Sequence, residues 1–266
     1  VSVRVDLGDD GVCRVTLDRP EARHALTPEM RDALTDAVRR ARRDPAARAL
    51  LLRSTGDAFC AGMDLRHATI AGAGTDGFDP REVAEALRNG VQAFVRELWE
   101  LDKPTVAAVQ GPAVGPGAHL ALACDFVLVE PGTRFLWSFH RVGLVADGGG
   151  AHLLPRLVGL ARAKAMLMLG EPCTGAQAAA LGLVHRCCDG PEALATEAEA
   201  LARRLAGGPT RALGLTKRLL NGAFETPLPE ALAREADAQA TAATTADVVE
   251  GLAAFRERRD ARFQGR

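Results

Sequence analysis

The chain has 266 residues, enough for one large α/β domain or for a core domain with a small helical appendage, and one folding unit is the expectation. Lys plus Arg number 33 against 34 Asp plus Glu, a formal net charge of −1. That balance offers no electrostatic basis for a nucleic-acid or membrane partner and points to a small-molecule ligand. Six cysteines (Cys13, Cys60, Cys124, Cys173, Cys187 and Cys188) show no C-x-x-C spacing and no accompanying His pair. Neither a zinc site nor a disulfide framework is expected, and reduced thiols imply the cytoplasm.

Residues 1–10 carry Arg4, Asp6, Asp9 and Asp10 without an apolar stretch, so no signal peptide is expected. Residues 3–7 and 12–17 flank the turn Gly8-Asp9-Asp10-Gly11 and read as a strand pair. Thr27-Pro28 looks like an N-cap followed by proline at the first helical position, and Met30, Leu34, Ala37, Val38 and Ala41 recur at helical spacing. Ala49-Leu50-Leu51-Leu52 is short enough for a buried strand. Residues 68–81 are small and glycine-rich, which suits a loop. Residues 83–101 predict one amphipathic helix, 105–109 a strand, 117–123 a helix start and 126–129 another strand. Residues 105–124 are uncharged over about the length of a membrane span, but Gly111, Pro112, Gly115, Pro116 and Gly117 break the middle. The alternation favours a mainly parallel, buried sheet. Beyond residue 161 nearly everything reads as helix: 161–169, 174–181, 191–206, 210–223 and 229–262. The division expected is a core over 1–195 and a C-terminal helical region over 196–266.

Two glycine-bearing turns each follow a predicted strand, at residues 58–65 and 111–119. Glycine lets backbone approach a ligand, and a helix start presents free N–H groups to negative charge. Taken with their flanks they resemble the crotonase (enoyl-CoA hydratase/isomerase) superfamily. Arg19-Pro20-Glu21-Ala22-Arg23-His24-Ala25-Leu26 is similar to that family's RPxxxNAL segment, with His24 where asparagine is usual. Ala58-Phe59-Cys60-Ala61-Gly62-Met63-Asp64-Leu65 is similar to AFCAGxDL, and Lys103 to Gly111 to KPxIAAVxG. Leu120-Ala121-Leu122-Ala123-Cys124-Asp125, Leu154-Pro155-Arg156-Leu157-Val158-Gly159 and Phe255-Arg256-Glu257-Arg258-Arg259 continue the match in order, so it covers essentially the whole chain.

The resemblance implies an α/β fold, a crotonase-like spiral of ββα turns with a C-terminal helical trimerisation region, assembled as a homotrimer or homohexamer. It implies an acyl-CoA substrate, no covalently bound cofactor, and two backbone N–H groups, from residues 63 and 116, that hold the thioester oxygen as it becomes an oxyanion. Met63 can donate, but Pro116 has no N–H. Either Gly117 supplies the donor through a shifted turn, or Met63 acts alone, or the ligand is held differently. The two glutamates of the hydratases align with His119 and Phe139. Phenylalanine transfers no proton, which disfavours two-glutamate hydration; His119 could be an acid or base, or a packed core residue.

Asp147, in Gly143-Leu144-Val145-Ala146-Asp147-Gly148-Gly149-Gly150, resembles the proton-shuttling aspartate of phenylacetate-pathway ring isomerases and enoyl-CoA isomerases. Among Leu144, Val145, Phe135 and Phe139 its pKa is expected to be raised by desolvation; its alternative role is an N-cap. Isomerase-type proton transfer is therefore favoured. Three alternatives stay open: a dehalogenase-like reaction, disfavoured by Gln92 and Phe139; a β-diketone hydrolase-like enzyme without CoA, using His140 with Asp147; and a non-catalytic homologue. The resemblance places the CoA against Ala22, Arg23, Ala25, Ala61, Asp64 and Leu65, with Arg258 and Arg259 near its 3′-phosphate, and the loop 71–77 in the acyl pocket. No metal site is implied.

Overall fold

A computed structural model describes residues 2–64 and 79–266; Leu65 and the loop 71–77 lie outside the described residues. The two first strands pair antiparallel, β1 (Val3–Leu7) on β2 (Val12–Leu17), around a turn closed by Gly11 N–H donating to Gly8 O at 3.0 Å. Onto β2 the chain adds β3 (Ala49–Ser54), β4 (Thr105–Val109), β6 (Phe126–Val129) and β9 (Arg186–Cys187), all parallel, in the order β1-β2-β3-β4-β6-β9. Every residue of β2 and of β4 is buried, as expected of strands covered on both faces.

Strand alternation splits the core in two. Leu50, Leu52, Ala107 and Val109 face Leu34, Val38 and Phe94, on the side of α1 (Pro28–Arg43) and α3 (Val91–Trp99). Ala49, Leu51, Val106 and Leu128 face Leu194, Ala198, Ala202 and Ala206 of α8 (Pro191–Ala206). Charge reinforces that second seam: Glu199 of α8 accepts from Arg14 at 2.8 Å and from Arg53 at 3.0 Å across the sheet. The boundary expected between residues 195 and 196 falls inside α8.

A second, smaller sheet holds β5 (Pro112–Val114), β7 (Arg134–Leu136) and β8 (Cys173–Thr174). Isolated parallel bridges extend this layer backward, from Ala113 to Cys60 and from Met63 to Leu26. Each circuit of the chain thus lays one strand in the large sheet, a short one in the small sheet, and then a helix. β4–β5–α4 (Pro116–Leu122) is one such turn; β6–β7, the 3-10 turn Phe139–Val142 and α5 (Gly150–Val158) make the next. The expected spiral of ββα turns is therefore observed.

Local chemistry explains the element ends. Thr27 Oγ1 accepts from Met30 N–H at the start of α1, and at its far end Lys103 Nζ donates to Ala41 O at 2.6 Å and Asp44 O at 2.7 Å. Two predicted helices turn out to be pairs. The segment 83–101 is α2 (Pro80–Asn89) and α3, broken at Gly90, and the segment 229–262 is α10 (Leu228–Ala243) and α11 (Ala246–Glu257). Apolar periodicity continues through both breaks, which is why it hid them; Thr245 starts α11 by capping Val248 N–H. Residues 161–169 split into α6 (Leu160–Lys164) and a π-helical turn, Ala165–Leu169. α7 (Gly175–Ala180), with its Thr174/Gln177 capping box, and α9 (Thr210–Asn221) follow the expected pattern. Among the described residues, no helix is long and apolar enough to cross a membrane. All six cysteines are free thiols.

Candidate active site

The two glycine-bearing turns meet. In the parallel bridge between Leu26 and Met63, Leu26 N–H donates to Gly62 O at 2.7 Å and Asp64 N–H donates to Leu26 O at 3.0 Å. Alternation along the strand then turns the N–H of the intervening Met63 away from Leu26. On that other side stand Val114 and Pro116, so close that a Cβ on Gly62 would lie 2.8 Å from Val114 O. Met63 therefore presents its N–H beside the start of α4.

Residue 116 is where a second donor is expected, and it is proline at the first helical position, after Gly115 at φ +51°. The following residue does not replace it in the cavity wall. Gly117 is packed against Cys60, where an added Cβ would come 2.6 Å from the carbonyl oxygen, and it does not line the cavity.

A largely apolar cavity of about 300 Å³ opens at this junction, lined by Ala61, Gly62 and Met63 on one side, Val114–Pro116 on another, and Phe139, Val142, Leu144, Val145 and Asp147 opposite. Asp147 reaches it because Gly148, Gly149 and Gly150 turn the chain sharply; Gly150 N–H donates to Asp147 O at 3.2 Å. Its carboxylate caps nothing: α5 begins after Gly149 without a side-chain cap. One oxygen, Oδ1, is buried without a hydrogen-bond partner, and burial raises the carboxyl pKa to about 6. The expected surroundings need correcting. Phe135 is stacked on Trp137 inside the core, whereas Leu144 and Val145 line the cavity but are 41% and 84% exposed.

Phe139 lines the cavity and His119 lies behind it. Their rings stack with centroids 5.9 Å apart, and Phe139 lies across Gly115, where a Cβ would be 3.2 Å from its Cζ. His119 is fully buried; its Nε2 accepts from Trp137 Nε1–H at 3.1 Å, so its proton sits on Nδ1, and it does not line the cavity. Burial, only partly offset by the backbone of Asp147, lowers its pKa to about 4. This is the packed, neutral arrangement, and it places the imidazole behind the cavity wall.

The family model for enoyl-CoA hydratase/isomerase matches residues 8–266 of this chain. The chain belongs to that family, the crotonases. It is 38% identical to the 1,2-epoxyphenylacetyl-CoA isomerase of Escherichia coli (strain K12), over 97% of each chain. It is 33% identical to the crotonyl-CoA hydratase of Syntrophomonas wolfei, over 93% of this chain and 92% of that one. Among solved structures, the enoyl-CoA hydratase/isomerase from Cupriavidus metallidurans CH34 superposes with a TM-score of 0.91 at 30% identity, covering 99% of this chain and 96% of its own. Isomerase and hydratase names both occur among these crotonases.

The crotonase segment around residue 24 is rebuilt for histidine. His24 takes φ +55°, is buried, accepts from Arg19 N–H on Nδ1 at 3.0 Å and turns Nε2 to Thr55 O at 2.7 Å. A neutral imidazole with its proton on Nε2 satisfies both partners. Of the residues expected to hold CoA, Ala61 lines the cavity; Ala22, Arg23 and Ala25 lie on the turn just before it, where Arg23 O accepts from Ala61 N–H at 2.9 Å. Asp64 is buried and bonded to Arg19 at 2.8 Å, tying that turn to the strand that carries Met63. Arg258 and Arg259 are exposed at the end of α11, and Arg259 already pairs with Glu250 and Glu257. His140 is exposed, packs against Gly170 and does not line the cavity, so it forms no pair with Asp147 there. Arg31, which also lines the cavity, escaped the sequence reading, because one arginine on an amphipathic helix carries no signal of its own.

Proposed function

We propose that this crotonase catalyses isomerase-type proton transfer on an enoyl-CoA thioester, with Asp147 as the proton shuttle and Met63 N–H as the oxyanion donor. The observation that supports it is the Asp147 carboxylate: at the cavity wall, partly desolvated, capping no helix, with an unpartnered oxygen. A carboxylate with pKa near 6 is basic enough to take a proton next to a thioester and acidic enough to return it. In a 3-enoyl ester Asp147 removes the proton from the α-carbon, and the electron pair moves through the carbonyl onto the thioester oxygen. The dienolate then collapses by taking the same proton at the γ-carbon, leaving the 2-enoyl ester. Met63 N–H stabilises the oxygen charge; such a donor contributes on the order of 3 kcal/mol. No cofactor beyond the CoA of the substrate is needed for these steps. CoA is proposed to run past Ala22, Arg23 and Ala25, with Arg258 and Arg259 serving its phosphate.

Hydration is disfavoured because neither Phe139 nor the sealed, neutral His119 can activate water. The test is deuterium exchange at the α- and γ-carbons of a 3-enoyl-CoA. Exchange is expected in the wild type and a loss on the order of 10²–10⁴-fold in Asp147→Asn. Unchanged exchange in the variant would place the base elsewhere.

A further inference from the structure

The cavity contains a charge that proton transfer does not use. Arg31, on the second turn of α1, lines it beside Val83, Ala86 and Leu87 of α2. Its guanidinium sits in a notch that exists because residue 90 is glycine: a Cβ there would come 2.5 Å from Arg31 Nη1 and 2.6 Å from Ala86 O. The break between α2 and α3, invisible in the apolar pattern, is therefore what seats this side chain against the cavity. Arg39 and Arg42, further along α1, both bond Glu97. Arg31 has no such partner: among the described residues no acceptor bonds its guanidinium, and Nε is buried and unpaired. Asp147 does not serve. No ion pair joins the two, and the rise in the Asp147 pKa carries no offset from a nearby cation.

A half-buried guanidinium without an acceptor is an unfavourable arrangement unless a ligand completes it. The remaining wall near it is aliphatic, so a methyl-terminated acyl chain would fill the space and leave the cation unpaired. A neutral oxygen would engage one donor, whereas a carboxylate matches the planar fork with two parallel bonds and cancels the charge. We propose that Arg31 is a specificity-determining residue that selects an acyl group bearing a carboxylate, so that the substrate is the CoA thioester of a dicarboxylic enoic acid. The inference rests on the enoyl-CoA reading. The thioester lies at Met63, the reacting carbons at Asp147 and the free carboxylate at the α1–α2 wall.

The experiment is calorimetric titration of the full chain with CoA, with an apolar enoyl-CoA, and with an enoyl-CoA of equal chain length ending in a carboxylate. It is run on the wild type, Arg31→Met and Arg31→Lys, with deuterium exchange on both esters giving kcat/KM. The wild type is expected to prefer the carboxylated ester by about tenfold or more. Arg31→Met should lose or reverse that preference, and Arg31→Lys should keep part of it. If the wild type binds the apolar ester and shows no preference for the carboxylate, the inference fails and the enoyl-CoA reading stands. If Arg31→Met weakens both esters equally with an unchanged melting temperature, Arg31 serves the thioester or the CoA, and the inference is again overturned. If no CoA ester binds the wild type, both readings fall together.

Discussion

At the scale of single residues, Asp147 is partly buried with one oxygen left unpartnered. A carboxyl whose pKa is raised from 3.8 to about 6 binds more protons folded than unfolded between those values. Its contribution to stability therefore falls as pH rises from about 4 to 6 and is unfavourable at neutral pH. Asp147→Asn should raise the melting temperature at pH 7.5, by an amount equivalent to about 1–2 kcal/mol, and make no difference at pH 4. An N-capping aspartate would give the opposite sign near neutrality, so thermal melts across pH separate the two roles. His119 contributes in the other direction: held near 4 by burial, it stays neutral while the unfolded chain takes up a proton, and its stabilisation is lost between about pH 6.5 and 4. On the proposed mechanism the rate follows the same group. Exchange into a 3-enoyl-CoA should be flat above about pH 7 and fall tenfold per pH unit below the Asp147 pKa of about 6. A profile flat down to pH 5 would argue against Asp147.

At the scale of elements, the start of α4 is the most consequential departure from the family pattern. Pro116 fits the first helical position but removes an N–H from the cavity wall. Pro116→Ala restores the donor, and proton exchange is expected to rise about 10–10²-fold, at a stability cost of about 0.5–1 kcal/mol. No gain in exchange would mean that position 116 does not face the thioester oxygen. The wall opposite makes a second test. Crotonyl-CoA hydration should be at background in the wild type, and rapid hydration would show that water is activated by a group other than residues 119 and 139. These departures were legible as residues, since matching the family segments sets Pro116 where an N–H donor is expected and Phe139 where the hydratases have glutamate. Their consequences were not: that Gly117 is packed against Cys60, and that His119 is sealed behind Phe139 and Trp137, depend on contacts between segments far apart in the chain.

For the whole molecule, the C-terminal helices expose apolar surface that a lone chain does not bury. None of the residues of α10 is buried, and Leu220, Phe224, Leu228, Leu232, Val249, Leu252 and Phe255 are all exposed, Phe255 to 84%. Surface of this kind is expected to be covered by other copies of the chain. Light scattering at micromolar concentration should return three or six times the 28.0 kDa mass of the chain. A monodisperse monomer would count against a trimerisation role for these helices.

The sequence by itself determined the positions of the strands β1 to β4 and β6, the helix α1 with its cap and the candidacy of Asp147, because each rests on local rules: alternation, capping residues and short motifs. It placed Asp147 among Leu144, Val145, Phe135 and Phe139; three of these line the cavity with it, whereas Phe135 is stacked on Trp137 in the core. Only the tertiary structure decided how deeply Asp147 is buried, that His119 lies sealed against Trp137, and that a break at Gly90 seats Arg31 at the cavity. Burial and pairing are sums over neighbours brought from distant turns of the spiral, and no periodicity within a single segment carries them.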